Sequence, residues 1–179
     1  MTRPTTLIAL ATATAALAAC HGDRPRPGAP LPNGARATAV LHDASGAEVG
    51  HANAVEVGGG LRVTLDVRGL TPGQHGAHIH TVGLCDAPGF TTAGGHWNPT
   101  ARQHGSMNPA GPHEGDLPNL VVGADGRGTL GAVIPGASVA GMLDADGAAM
   151  IVHAGADDLM TDPAGNSGGR VVCGVWTKS

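Results

Sequence analysis

The stretch Leu61-Arg62-Val63-Thr64-Leu65-Asp66-Val67-Arg68 alternates apolar and polar residues without a break. Successive side chains of a strand point to opposite faces, so this period of two predicts a strand with one face in a core. Seven further segments read as strands: 37–41, 47–57, 77–82, 119–123, 127–134, 148–154 and 170–176. We therefore expect an all-β fold, an eight-stranded antiparallel Greek-key barrel or sandwich of the immunoglobulin-like kind.

The composition supports this fold class and excludes one kind of partner. The 179 residues suffice for one domain with a core, and 30 glycines and 13 prolines favour turns over long helices. Aromatic residues make up 2%, so the core must consist of Val, Leu, Ile and Ala. The formal charge is −4 and Lys and Arg do not cluster, which argues against nucleic acid as a partner.

The first 34 residues differ from the rest. Arg3 precedes an apolar run from Leu7 to Ala19, which predicts a signal peptide over 1–19. The run ends in Leu17-Ala18-Ala19-Cys20, which resembles the lipobox of bacterial lipoproteins and makes Cys20 the lipid-bearing residue; an ordinary signal peptide is the alternative. Four prolines within 20–34 predict a tether. We expect a folded domain over 35–179, exported to the bacterial envelope, lipid-anchored to a membrane and facing the periplasm or exterior.

The chain contains three cysteines, an odd number for an exported protein. If Cys20 carries lipid, Cys85 and Cys173 remain and can pair in an oxidising compartment. Two separate buried thiols are the alternative at this point.

Two long segments, 83–118 and 154–169, interrupt the strands. Both are rich in Gly, Pro, Asn and Asp. Loops of this length in a compact domain are usually functional or disordered. The first contains several candidate metal ligands and the second lies between His153 and Arg170, so we expect both loops to be functional.

Histidines form two groups with the spacing of metal ligands. His78 and His80 are two residues apart on one strand and so share a face, and with His153 on another apolar strand they make a three-histidine site. His96, His104, His113 and Asp116 lie in one loop, and three histidines with one carboxylate suit a closed tetrahedral zinc site. A solvated polar loop is the alternative. His21, His42 and His51 fit neither group, and we expect them at the surface.

These strings resemble the copper,zinc superoxide dismutases, in the order in which that family has them. The matching segments are 73–80 (GQHGAHIH), 93–99 (AGGHWNP), 113–117 (HEGDL), 152–154 (VHA), 157–159 (DDL) and 165–175 (GNSGGRVVCGV). They span about residues 36–176. The resemblance implies a sandwich-like barrel and the dismutation of superoxide, with one copper and one zinc in each subunit.

The resemblance also implies a role for each matching residue. Copper would bind His78, His80, His96 and His153, and zinc would bind His96, His104, His113 and Asp116, so that His96 bridges the metals and takes part in catalysis. Asp157 would connect a copper histidine with a zinc histidine, and His75 would pack behind the copper. Arg170 would meet the superoxide anion, and a Cys85–Cys173 disulfide would steady it.

Some positions depart from the family. The segment from His153 to Arg170 is short and has three aspartates but no lysine, so steering by lysines of this loop is absent. The spacing from His104 to His113 differs from animal members, which makes His104 the ligand to examine first.

Two other functional classes compete with the enzyme. A non-catalytic member that binds or stores copper and zinc would be expected to lack a copper histidine or Arg170, and neither is missing. A zinc hydrolase needs an open zinc position, which three histidines and one aspartate would close. The sequence leaves the oligomeric state open, with a homodimer as one arrangement.

Overall fold

The computed structural model describes residues 34–179, and this part of the chain is almost entirely strands and long loops. The ten strands are β1 Arg36–Asp43, β2 Glu48–Val57, β3 Gly60–Val67, β4 Gly73–His75, β5 Ala77–His80, β6 Leu120–Val122, β7 Gly128–Pro135, β8 Ala149–His153, β9 Arg170–Val175 and β10 Thr177–Lys178. The predicted signal peptide, the predicted lipidation at Cys20 and the predicted tether up to residue 33 all lie outside the described residues.

The alternate residues that the sequence predicts to face a core are buried in the structure. In β3, Leu61, Val63, Leu65 and Val67 are buried, and the polar residues between them are exposed. Leu, Val, Ile and Ala supply most of the main core, together with Trp97 and Trp176. Burial of such a stripe from each strand supplies the main driving force for closing the sheet on itself.

The strands form one antiparallel sheet in the order β4-β6-β7-β3-β2-β1-β9-β8-β5, with β10 beside β1. β4 and β5 lie at opposite ends of this order, although only Gly76 separates them in the chain. Residues 73–80 therefore join the two ends of the sheet, and the result is a nearly closed barrel. The expected all-β antiparallel Greek-key fold is confirmed.

The eight predicted strands are all present, and the structure adds two short ones. β4 has three residues and β10 has two, and neither is long enough to show alternation. The strand predicted over 77–82 ends at His80, because Thr81 and Val82 donate instead to the carbonyls of Gly95 and Ala93.

One helical turn, α1 (Val139–Met142), also has no sequence signal. Its first amide donates to Oε1 of Glu56 and Ser138 caps it, so local bonds rather than an apolar face define it. Among residues 34–179, the structure contains no helix with the length and apolar character needed to cross a membrane.

Strands β5 and β8 are buried on both faces, and this arrangement creates the site. Ile79, Met150 and Val152 face the barrel core. The opposite face is covered by the long loops, where Phe90 and Ala93 pack with Ile151. His78 pairs with Ile151 across the strands, so it points to this covered face rather than into the core.

Candidate metal centre

Four histidines from three parts of the chain converge on the covered face of β5. His78 and His80 lie on β5, and His153 ends β8, where its amide donates to the carbonyl of Gly76. His96 arrives from the long loop through an isolated β-bridge to His80. The ring centres of His78 and His96 are 4.0 Å apart, and those of His80 and His96 are 4.9 Å apart. Each of the four offers one donor nitrogen within 4.8 Å of the others.

On each of these rings, one nitrogen is engaged and the other is free. His78 Nε2 pairs with Asp157 Oδ2 at 2.6 Å, and His80 Nδ1 and His153 Nδ1 donate to the carbonyls of Gly94 and Gly168 at 2.9 and 3.0 Å. Such partners place the ring proton on the engaged nitrogen and leave a lone pair on the other. Within residues 34–179, five buried histidine nitrogens have no hydrogen-bond partner: His78 Nδ1, His80 Nε2, His96 Nε2, His104 Nδ1 and His153 Nε2.

Buried nitrogens without partners are costly unless a ligand satisfies them. Four of the five belong to the group around β5, which we call the copper-side group: His78, His80, His96 and His153. Nitrogen donors of this number suit copper or zinc. The donor set present therefore fits a metal ion on chemical grounds.

A second set of donors converges on one oxygen of Asp116. The Nδ1 atoms of His96, His104 and His113 lie 2.8, 3.1 and 3.2 Å from Oδ1 of Asp116. The Nδ1 atoms of His96 and His113 are 3.4 Å apart. Zinc bonds of 2.0–2.1 Å in a tetrahedron imply donor separations of about 3.3 Å, so these four donors fit a closed zinc site. We call them the zinc-side group.

The other oxygen of Asp116 is held in place by main-chain donors. Oδ2 accepts hydrogen bonds from the amides of Gly105 and His113 at 2.9 and 3.0 Å. A four-donor set whose atoms all lie within 4.8 Å of one another contains His78, rather than His113, beside His96, His104 and Asp116. We assign His113 instead, because His78 contributes its one free nitrogen to the copper-side group.

Asp157 connects the two groups. Its Oδ2 contacts His78 and its Oδ1 lies 3.0 Å from Nε2 of His104, with the whole side chain buried. Burial alone would raise the pKa of Asp157, but the hydrogen bonds to His78 and His104 outweigh it and lower the pKa to about 2. This carboxylate sets the orientation of both rings, as partners of metal-binding histidines commonly do.

The protonation states suit metal binding. Burial lowers the pKa of His78 to about 4 and that of His80 to about 2. Burial would raise the pKa of Asp116, but the hydrogen bond from His96 helps to lower it to about 2. At neutral pH these imidazoles are neutral and the carboxylate is charged, which are the forms that bind metal ions.

Arg170 lies beside the copper-side group. Its two terminal nitrogens donate to the carbonyls of Phe90 and Gly94 at 2.6 Å each, and Gly94 also accepts from His80. The charge of Arg170 is close enough to lower the pKa of His80 and His153, after the larger effect of burial. The same loop is tied to β9 by the Cys85–Cys173 disulfide, with Cα atoms 5.7 Å apart. The disulfide is therefore confirmed.

His75, for which the resemblance implies a place behind the copper, is buried beside the end of β8. Its Nδ1 is 2.7 Å from the carbonyl of His153, and its Nε2 is 2.9 Å from the carbonyl of Thr71. It thus links the loop before β4 to the end of β8. His42 and His51 are exposed, as expected of residues outside the site.

The structure brings together every sequence-predicted ligand, including His104, which is fully buried. Sequence reasoning missed several groups that hold the ligands and Asp157 in place. The carbonyls of Gly94 and Gly168 are main-chain groups without a sequence signal. Asp162, expected only as a loop charge, accepts from the amide of His104 at 2.6 Å. Asn119, which binds the main chain of Asp157, was also missed.

Comparison with known proteins agrees with the family that the sequence resembles. Residues 48–176 match a family described as copper/zinc superoxide dismutase. A superoxide dismutase [Cu-Zn] from Caulobacter vibrioides is 42% identical over 146 residues, which cover 78% of this chain and 84% of that protein.

Two solved structures share the fold. One is a SOD-like protein from Bacillus subtilis, crystallised as a double mutant with histidines in place of a tyrosine and a proline; it is 43% identical, with a TM-score of 0.74 over 77% of this chain and 95% of that one. The other is the Cu/Zn superoxide dismutase from Brucella abortus, which is 32% identical, with a TM-score of 0.65 over 78% of this chain and 98% of that one.

Proposed function

The chain belongs to the copper/zinc superoxide dismutase family, and we propose that its two groups of ligands hold a redox copper and a closed zinc that share His96. The protein is an enzyme that converts two superoxide anions and two protons into dioxygen and hydrogen peroxide, with copper and zinc as its cofactors. We assign one of each metal to a subunit.

One observation carries the assignment of the metals. The free Nε2 of His96 belongs to the copper-side group, and its Nδ1 lies 2.8 Å from Asp116 in the zinc-side group. A single imidazole with one nitrogen in each group supports two neighbouring metal ions rather than two unrelated sites.

The copper-side group would hold copper through His78, His80, His96 and His153. When bound, copper supplies reversible one-electron transfer, which oxidises one superoxide to dioxygen and reduces the next to hydrogen peroxide. Nε2 of His96 is the atom that we assign to carry one of the two protons whenever it is not engaged by copper, because its Nδ1 is committed to the zinc side. In the metal-free protein, burial disfavours a charged imidazole at this position and lowers the pKa of His96, so the ring is neutral and has a lone pair for a metal ion.

Arg170 would bind the anion. Its guanidinium has five N–H donors, and the carbonyls of Phe90 and Gly94 engage one on each terminal nitrogen. The remaining donors are available to an oxygen anion, while the two carbonyl bonds keep the charge in one position. Fixed charges of this kind raise the association rate of small anions by about 10–1000-fold.

The zinc-side group would hold zinc through His96, His104, His113 and Asp116. Four protein donors leave no open position, so this ion orients His96 and contributes charge rather than activating water. This argues against a zinc hydrolase. A non-catalytic metal-binding or copper-storage member is also disfavoured, because Arg170 is present and held beside His80 through the shared carbonyl of Gly94.

We further propose that the enzyme protects the bacterial cell envelope. The support is the sequence of residues 1–20, with a signal-like apolar run before Cys20. The Cys85–Cys173 disulfide agrees with an exported, oxidising location.

The enzymatic proposal is tested by reconstitution. The metal-free protein is loaded with zinc alone or with zinc and copper, and superoxide decay is followed directly. We expect activity only with copper present, and its loss in His153→Ala, whose zinc-side group is intact. His42→Ala is the matched control, because His42 is exposed and outside both groups. Copper-loaded wild type no faster than free buffer would refute the proposal.

A further inference from the structure

Asn119 binds the main chain of Asp157 with both ends of its carboxamide. Nδ2 donates to the carbonyl oxygen of Asp157 at 2.8 Å, and the amide of Asp157 donates to Oδ1 at 2.8 Å. A main-chain amide can only donate and a carbonyl can only accept, so only one orientation of the carboxamide satisfies both bonds. The pair of bonds fixes both the position and the rotation of the main chain at Asp157.

The position of Asp157 matters because its carboxylate serves two rings. Oδ2 is 2.6 Å from His78 Nε2, and Oδ1 is 3.0 Å from His104 Nε2. The loop around Asp157 (residues 154–169) contains no strand or helix, so individual hydrogen bonds rather than a sheet ladder hold it in place. A small displacement of the main chain at Asp157 would rotate one copper-side and one zinc-side histidine together.

Asn119 is itself firmly placed. It comes three residues after Asp116 and directly before β6, which pairs with β4 and β7 in the barrel. The same short segment therefore contains a zinc-side ligand and the support for Asp157. The barrel wall is connected through Asn119 to the loop that orients both groups of ligands.

We propose that Asn119 is a positioning residue that acts through Asp157 to keep His78 and His104 in the orientation needed for copper and zinc. This role rests on the proposed assignment of the two metals. It differs from a general contribution to stability, because it requires the effect of Asn119 to pass through the carboxylate of Asp157.

A double-mutant cycle tests this requirement. Asn119→Ala, Asp157→Ala and the double variant are compared with wild type for zinc affinity, measured by chelator competition, and for the visible absorption band of bound Cu(II). Loss of a carboxylate partner costs about 10–100-fold in metal affinity, and we expect a smaller loss of about 3–10-fold from Asn119→Ala. In the Asp157→Ala background, removal of Asn119 should cause no further loss.

Asn108→Ala is the matched control. Its side chain also connects the two long loops, through Gln103 and the carbonyl of Met160, but it does not contact Asp157. We expect wild-type zinc affinity and an unshifted Cu(II) band for this variant.

Several outcomes would overturn the proposal. Asn119→Ala with wild-type zinc affinity and an unshifted Cu(II) band would do so. An equally large loss of zinc affinity from Asn119→Ala in the Asp157→Ala background would do so as well. If Asn119→Ala does not fold, Asn119→Asp is used instead, because it replaces the donor with an oxygen that faces the carbonyl of Asp157. Unchanged zinc affinity in Asn119→Asp would also contradict the proposal. Wild type that binds neither metal would refute the proposed function as well, whereas normal wild-type binding isolates the failure to Asn119.

Discussion

At the scale of single residues, the chemistry depends on which ring nitrogen of each histidine is engaged. His80 donates from Nδ1 to Gly94 and keeps Nε2 free, whereas His78 is engaged at Nε2 and keeps Nδ1 free. The sequence spacing predicts that both rings share a face, but it does not predict the partners, because these are a main-chain carbonyl and a side chain 79 residues away.

Arg170 provides the sharpest residue-scale test of substrate binding. Arg170→Ala should keep both metals and lose about 10–1000-fold in the second-order rate with superoxide, because the fixed charge beside the copper-side group is gone. Pulse radiolysis measures the rate, and metal analysis checks the occupancy. The exposed Arg68→Ala is the control for net charge. An unchanged rate in Arg170→Ala would exclude a role for this residue in binding the anion.

The histidines also predict how the metal-free protein responds to acid. Burial lowers the pKa of His78 from its ordinary 6.5 to about 4, and it also lowers the pKa values of His80 and His153. Between about pH 6.5 and pH 4 the unfolded chain takes up protons that the folded chain does not. The contribution of these neutral histidines to stability is therefore complete above about pH 6.5 and is lost as the pH falls toward 4.

Chelator-treated protein should accordingly unfold at a steadily lower urea concentration from pH 7 to pH 4.5. Bound metal should resist this loss until protons displace it. A midpoint that stays constant or rises over this range in the metal-free protein would contradict the assignment of buried neutral imidazoles.

At the scale of elements, the two long loops pack closely together at Gly165, where a side chain would not fit. Gly165 has a φ of 61°, and a β-carbon there would overlap the carboxylate of Asp157 and contact Nε2 of His104. Gly165→Ala should destabilise the protein by about 1–3 kcal/mol, from backbone strain and overpacking, and should weaken zinc binding.

Gly169→Ala is the control for this variant, because a β-carbon at Gly169 meets open space in the same loop. Thermal unfolding and zinc content are measured for both variants. Equal behaviour of the two would show that the contact between Gly165 and Asp157 does not matter.

The strands were predictable because a period of two is a local property of sequence. β3 keeps its alternation over eight residues and can be identified by inspection. β4 and α1 could not be found this way, since three or four residues are too few to establish a period of two or of 3.6 residues. The geometry of the loops depends on bonds between distant residues, such as that between His104 and Asp162, and is set only when the barrel closes.

At the scale of the whole molecule, the net charge of the chain does not attract the superoxide anion. The formal charge is −4, and the loop from 154 to 169 contributes aspartates without lysine. Under the proposed role of Arg170, an anion would thus be attracted locally at this residue rather than by the molecule as a whole.

The proposed location makes its own prediction at this scale. Cys20→Ser, expressed in a bacterial host, should move the protein from the membrane fraction to the soluble fraction with its activity retained, because the lipid-bearing thiol is gone. Cell fractionation with immunodetection measures this. The Cys20→Ser variant remaining in the membrane fraction would refute the anchor.

The most direct test of the shared histidine is anomalous scattering from crystals of the chain loaded with both metals. Data at the copper and zinc absorption edges should place copper among His78, His80, His96 and His153. They should place zinc about 2.0–2.1 Å from Nδ1 of His96, His104 and His113, and near Asp116. His96 should contact both ions. A single metal peak, or two peaks of which neither or only one contacts His96, would contradict the two-metal centre.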